Sequence, residues 1–145
     1  MDRERLRQFL EAEIGKERQK IAQLGKRKSE GDSARASWSA HDMLDIETEM
    51  VNRELYVVRC LTALEAVKAN PSLDAVAVGS FVTISVEGEE MSYLMVSERG
   101  GPIGDYWTLS QKSPIGKAIW GKEQGEAVVA TTPDGAVAVE VLKVE

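Results

Sequence analysis

Two periodicities divide the chain. Up to residue 69, apolar residues recur at helical spacing. Leu6, Leu10, Ile14, Ile21 and Leu24 follow a three-four rhythm with charged residues between them. Gly15 and Gly25 weaken this helix, each by about 1 kcal/mol relative to alanine. The second run is cleaner. Met43, Ile46, Met50, Arg53, Val57, Cys60, Leu64 and Val67 step by 3, 4, 3, 4, 3, 4 and 3, a heptad seam that only Arg53 interrupts. Asn70-Pro71 stops it. Between the runs, Ser29-Glu-Gly-Asp-Ser-Ala-Arg-Ala-Ser37 is rich in turn formers and lacks a large apolar side chain. The pattern predicts an antiparallel coiled-coil hairpin over 1–70 with its tip near 29–37. Arms of about 28 residues reach roughly 40 Å at 1.5 Å per residue. A single seam buries no globular core, so the expected shape is a projecting arm. Leu44, Val51, Leu55 and Val58 lie outside the seam and leave apolar groups on the second helix.

Beyond Pro71 the period shortens to two. Ala75–Val78, Ser80–Val86, Met91–Val96, Ala127–Thr131 and Val137–Val144 are predicted as strands. Turns are expected at Glu-Gly-Glu-Glu (87–90), Gly-Gly-Pro (100–102) and Pro-Asp-Gly (133–135). Only Ser113–Gly121 has helical character. Ser113 is suited to the N-cap, Pro114 to the first helical position and Gly121 to the C-cap. The fold class is therefore α+β: a helical hairpin, a linker at 71–78, and a small antiparallel sheet domain with one short helix over 79–145.

Composition changes little in this picture. The 145 residues, 43% hydrophobic and 29% charged, suit one soluble domain or two small ones. No apolar run approaches the roughly 18 residues that span a bilayer, and Met-Asp-Arg-Glu-Arg is followed by no signal-type apolar core. The single Cys60 excludes an internal disulfide and fits a reducing compartment. A cytoplasmic bacterial protein is expected. Charge is more telling: residues 1–70 hold 13 of the 18 basic and 13 of the 24 acidic groups, so residues 71–145, with 5 and 11, carry the whole net −6. Counterion release from nucleic acid needs a basic face. A protein partner fits better.

The second half resembles the C-terminal domain of the Gre family of bacterial transcript cleavage factors. The matching residues are Val78-Gly-Ser-Phe-Val-Thr-Ile84, Ser113-Pro-Ile with Ala118-Ile119 and Gly121-Lys122, Gly125-Glu126, Thr132-Pro-Asp-Gly135, and Glu140-Val-Leu-Lys-Val144. Helical hairpin followed by sheet domain matches the family's architecture along nearly the whole chain. The resemblance implies an FK506-binding-protein-like (FKBP-like) α+β domain without isomerase activity. It implies a monomer that docks on the rim of the secondary channel of RNA polymerase through Ser113, Pro114 and Ile115. The hairpin then enters the channel, and acidic tip residues reach the active-site magnesium. A second Mg²⁺ needs hard oxygen ligands, and a metal-bound water attacks the RNA phosphodiester. The hydrolytic site is the polymerase's. The factor completes it and is not itself an enzyme, and it has no cofactor beyond that shared Mg²⁺.

At the tip the chain departs from the family. Gly31-Asp32 matches, but where the family has Glu three residues after Asp, this chain has Arg35. An arginine offers no metal-binding lone pair. At about 5 Å it repels a divalent cation by several kcal/mol for an effective ε near 20. Glu30 is the remaining tip acid. The tip also resembles that of DksA factors, in Asp32-Ser-Ala-Arg-Ala-Ser37, although Ala34 stands where their second acid belongs and the zinc-binding cysteines of many of them are absent.

Other residues have both plain and functional readings. Asp42, Asp45, Glu47 and Glu49 form either a solvated helix face or a contact for a metal or basic protein. Lys26, Arg27 and Lys28, with Arg18 and Lys20, form a solvated face or, by resemblance, a stripe that meets the RNA 3′ end inside the channel. Trp38 either staples the hairpin turn or touches the channel wall. His41 reads as a surface residue, Cys60 as a small apolar group in the seam, and Trp120 as core with an exposed edge. Three functions follow: a channel-occluding regulator with weak or no stimulation of cleavage, a cleavage factor using Asp32 and Glu30, or a coiled-coil interaction module unrelated to polymerase.

Overall fold

A computed structural model describes residues 2–33, 40–69, 71 and 74–145, with side chains there except over 30–42. Two long helices, α1 (Arg3–Ser33) and α2 (Ala40–Ala69), precede β1 (Phe81–Val86), β2 (Glu89–Val96), β3 (Gly101–Ile103), β4 (Tyr106–Ser110), α3 (Pro114–Ile119), β5 (Ala127–Thr132) and β6 (Gly135–Val144). α1 continues through Ser29–Ser33, further than the turn-forming composition predicted.

The seam positions of α2 are buried or half-buried along its length, from Met43 to Val67. Arg53 does not break the seam, because α1 supplies its partner. Glu17 occupies the seam position between Ile14 and Ile21 and is only 7% exposed. Arg53 Nη1 donates to Glu17 Oε2 at 2.8 Å, while its Nε and Nη2 donate to Glu49 one turn back at 3.1 and 2.9 Å. These bonds hold the guanidinium firmly protonated, the bond to Glu17 contributing most. A turn further toward the base, Tyr56 Oη donates to Glu13 Oε2 at 2.8 Å.

At its base the hairpin is not a free arm. Leu6, Leu10, Ile14, Val57, Cys60, Ala63, Ala66 and Val67 share one core with Phe81, Leu94, Val96 and Ile103 of the sheet. Phe9 packs on Tyr106 with ring centroids 5.4 Å apart. The Arg3 guanidinium lies 4.6 Å over the Phe81 ring and donates to the Glu145 carbonyl at 3.2 Å. A single seam would have no such core; the sheet provides it.

The six strands run in the order β3-β4-β2-β1-β6-β5. Four of the five pairings are antiparallel and β2–β4 is parallel. β1 and β2 join through Glu87 and Gly88, both at positive φ (49° and 85°), the two-residue hairpin turn that matches strand twist. Because side chains alternate across a strand, Phe81 faces the helices while Val82 and Ile84 join a second core with Met95, Val139, Val141 and Ile119 of α3.

One strand expectation and one turn expectation fail. Ala75–Val78 is a bend and turn, not a strand. Val76 is buried, and its backbone bonds the turn after α3 (Val76 N to Lys122 O and Gly121 N to Val76 O, both 2.9 Å) instead of a ladder. Gly100-Gly101-Pro102 is not a turn, since Gly101 and Pro102 lie in β3 and the chain reverses at Gly104-Asp105. A long-range partner decided the first segment, and pairing with the adjacent β4 decided the second. Gly79 is required where α2 meets the sheet. At φ 94°, a Cβ there would lie 2.4 Å from the Ala66 carbonyl oxygen.

Candidate functional site

The loop between β4 and α3 is built from its own backbone. Ser113 caps α3 with extended geometry (φ −71°, ψ 158°), and its Oγ accepts from Gly116 N at 3.1 Å. The same hydroxyl donates to the Ser110 carbonyl at 2.7 Å, so the cap is tied to the end of β4. Pro114 takes the first helical position, where its missing N–H costs nothing. Gly116 is dictated by this approach: an added Cβ would lie 1.9 Å from the Ser110 oxygen. After Trp120, Gly121 turns the chain at φ 74°, as expected of a residue just past a helix end.

What this loop shows to solvent is limited and specific. Pro114 is exposed, Ser113 half-buried by its bonds, and Ile115 packs against the second core. Pro114 forms one wall of a shallow cleft of about 340 Å³ with Lys112, Lys117, Ala118 and residues 129–131 of β5. Lys112 Nζ reaches Glu98 at 3.2 Å. Val129 is 68% exposed, a large apolar side chain on an edge strand. The sequence pointed to Ser113, Pro114 and Ile115 but not to this β5 wall, which comes beside them only through the crossover of α3. Trp120 is 41% and Trp107 53% exposed, so Trp120 is more open than a core residue with an exposed edge.

On the arm, Lys26 and Arg27 are exposed, whereas Lys28 bridges to Glu47 of α2 at 2.8 Å. Glu47 and Glu49 of the acidic group are thus engaged in ion pairs across and along the hairpin. The side chains of Glu30, Asp32, Arg35, Trp38, His41 and Asp42 lie outside the described residues. Among the described residues no group of three or more His, Cys, Asp or Glu is placed to hold a metal. Cys60 is fully buried, and desolvation pushes its thiol up to about 11. It is a packing residue and no nucleophile. No helix among the described residues is long and apolar enough to cross a membrane.

Comparison with known proteins gives a consistent result. The model of the family described as transcription elongation factor GreA/GreB, C-terminal, matches residues 70–145. Transcription elongation factor GreA of Streptococcus sanguinis is 40% identical over 74 residues, covering 50% of this chain and 46% of that protein. GreA of Streptococcus pneumoniae serotype 4 is 41% identical over 76 residues, with the same coverage. The chain spans about half the length of the curated relatives it matches. Among solved structures, GreA factor homolog 1 (Gfh1) of Thermus thermophilus is similar over 99% of this chain and 94% of that one, at 22% identity and a TM-score of 0.39. Thermus aquaticus Gfh1 is similar over 95% and 92%, at 18% identity and a TM-score of 0.44.

Proposed function

We propose that this chain, which belongs to the GreA/GreB family of transcription elongation factors, regulates transcription by docking on bacterial RNA polymerase and occupying its secondary channel, with weak or no stimulation of transcript cleavage. The family match over residues 70–145 carries the proposal, because it includes the Ser113–Ile115 loop. That loop is rigid before any partner arrives: two hydrogen bonds through one hydroxyl fix it, and a glycine with no room for a side chain backs it. A preorganised surface loses little entropy on binding. On this reading the exposed Pro114, the shallow cleft of mixed polarity beside it and the Lys112 and Lys117 rim form the docking surface.

The weak-cleavage part rests on sequence chemistry at the tip. Asp32 keeps one carboxylate, but Arg35 replaces the second acid and adds a positive charge where a divalent cation would have to sit. Any Mg²⁺ belongs to the polymerase, and this chain acts as an accessory factor. On this reading Lys26 and Arg27, both exposed on the arm, meet the RNA 3′ end.

The test adds the full chain to backtracked elongation complexes and follows RNA length, alone and in competition with a known cleavage factor. Loss of the competitor's products without new short RNAs is expected. Pro114→Asp, a change at an exposed position, removes the competition while leaving the melting temperature unchanged. Short 3′ products that disappear with Asp32→Asn would instead make this a working cleavage factor. Arg35→Glu is expected to raise cleavage.

A further inference from the structure

β5 ends the sheet, and among the described residues no strand pairs with its outer side. Its ladder with β6 runs from Ala127↔Glu140 to Thr132↔Gly135 without a register shift. Val141 N donates to the Glu126 carbonyl at 2.8 Å, which turns the backbone of Glu126 toward β6. Backbone groups alternate sides along a strand, so those of Val128, Ala130 and Thr132 also bond β6. The N–H and C=O groups of Ala127, Val129 and Thr131 therefore point outward along the open edge. Sheet edges are ordinarily blunted by charged residues, proline or a bulge. The run Ala-Val-Val-Ala-Thr-Thr has neither charge nor proline. Val129 at its centre is the most exposed large apolar side chain among the described residues.

A cavity flanks this edge on each face of the sheet. On the α3 face lies the cleft of Pro114 and Lys117 already described, to which β5 contributes Ala130. On the opposite face, a shallow cavity of about 560 Å³ is floored by Ala127, Val129 and Ala138 and bordered by Glu87 and Glu140. The two faces differ in charge. Lys117 is exposed on the α3 face, where Lys112 is already engaged by Glu98. The other face offers small apolar groups and two carboxylates.

A strand added to the edge would place its side chains alternately on these two faces. In antiparallel pairing, the residue that exchanges hydrogen bonds with Val129 lies directly opposite it and shares its face. Its side chain meets Ala127, Val129 and Ala138, and Glu87 and Glu140 disfavour an acid there. Its neighbours turn to the α3 face, where Lys117 favours one. Main-chain bonds along an edge, with pockets for alternate side chains, are the two components of recognition by strand addition.

We propose that the edge of β5 receives an extended segment of a protein partner, added antiparallel, in which β-branched residues alternate with acidic ones. The surface adjoins Pro114, but the inference does not rest on polymerase as the partner. The β-branched residues bond the outward backbone groups of β5, and the acidic ones face Lys117. Six residues of β5 offer a track of about 20 Å.

A blocked peptide of about eight residues alternating valine and aspartate tests this on the isotope-labelled full chain. Amide exchange followed by NMR is expected to be fast at Ala127, Val129 and Thr131 of the free chain and slow at Val128 and Ala130. With peptide at about ten times its Kd, the three outward amides slow about tenfold. N-methylation of the valines abolishes binding, whereas N-methylation of the aspartates leaves it in place. Val129→Pro removes one outward donor where an edge strand tolerates proline, and weakens binding at least about tenfold. Lys117→Glu changes an exposed residue and shifts the preference from the aspartate peptide to its lysine counterpart. Three results would overturn the proposal: no binding at about 1 mM peptide, equal loss with both N-methylated peptides, or outward amides that become protected without peptide as protein concentration rises.

Discussion

Replacing Arg53 by leucine tests whether the ion pair in the seam holds the hairpin. Glu17 is 9% exposed at its side chain and Arg53 27%, with 2.8 Å between Nη1 and Oε2. Removing one partner of a fully buried pair costs about 3–5 kcal/mol, because the other charge is left without compensation. An exposed pair is worth about 0–1 kcal/mol. Glu17 is nearly buried, but a two-helix seam is thin and Arg53 is open at one side, so Arg53→Leu is expected to cost about 2 kcal/mol. Glu17→Leu should cost less, since Arg53 keeps Glu49 at 2.9 Å. The double variant fills both seam positions with apolar side chains and returns to within about 1 kcal/mol of the parent. Urea unfolding of the parent, both single variants and the double variant closes the cycle, and a coupling of about 1–2 kcal/mol is expected. A double variant as unstable as Arg53→Leu, or a neutral Arg53→Leu, would refute the argument.

Ser113→Ala loses the cap of α3 and its tie to Ser110, an expected cost of about 1 kcal/mol and a fall of about 2–4 °C in melting temperature by calorimetry. Gly116→Ala drives a methyl into the Ser110 carbonyl, 1.9 Å away. It should cost about 3 kcal/mol and abolish polymerase competition; a variant that keeps both would show that the loop yields. Burial lifts the Cys60 thiol to about 11 from an ordinary value of 9.0. A thiol raised in the folded state stabilises the fold fully below about 9 and loses that contribution as pH rises through about 11. Urea midpoints should therefore fall over that window, and Cys60→Ala should flatten the fall. At pH 8 a thiol reagent should label Cys60 only after unfolding.

How much of this was legible in the sequence depended on range. The seam of α2 could be read because its rule is local, three and four residues at a time, and the structure buries those positions in turn. Arg53 looked like a flaw because its partner lies 36 residues away. A gap in the apolar rhythm between Ile14 and Ile21, filled by Glu17, was the available signal, and an acid facing an arginine across two such gaps could have been sought. β3 and β4 were missed for a related reason. They are three and five residues long, β3 contains Gly-Pro, and β4 joins the sheet by pairing in parallel with β2 besides its short antiparallel pairing with β3. Capping chemistry made Ser113 and Pro114 legible as a helix start, while only the family resemblance marked them as a site. The cleft wall at 129–131 follows only from the crossover that sets α3 beside β5.

The apolar junction at the base of the hairpin also bears on how arm and sheet could move. The two are joined near Pro71, and the sequence left the angle between them open. In the structure Phe81, Leu94, Val96 and Ile103 are each no more than 4% exposed, in one core with α1 and α2. Swinging the arm off the sheet would uncover these side chains at about 1.5–3 kcal/mol each, on the order of 6–12 kcal/mol in all. Area-based figures of this kind are upper bounds. Half of that, about 3–6 kcal/mol, is still a large share of a typical domain's whole stability of about 5–15 kcal/mol. Gly79 packs closely there too, since an added Cβ would lie 2.4 Å from the Ala66 carbonyl oxygen. The hairpin and the Ser113–Ile115 loop therefore belong to one packed unit. Under the proposed docking through Ser113 and Pro114, the core shared by hairpin and sheet sets the direction of the arm before binding.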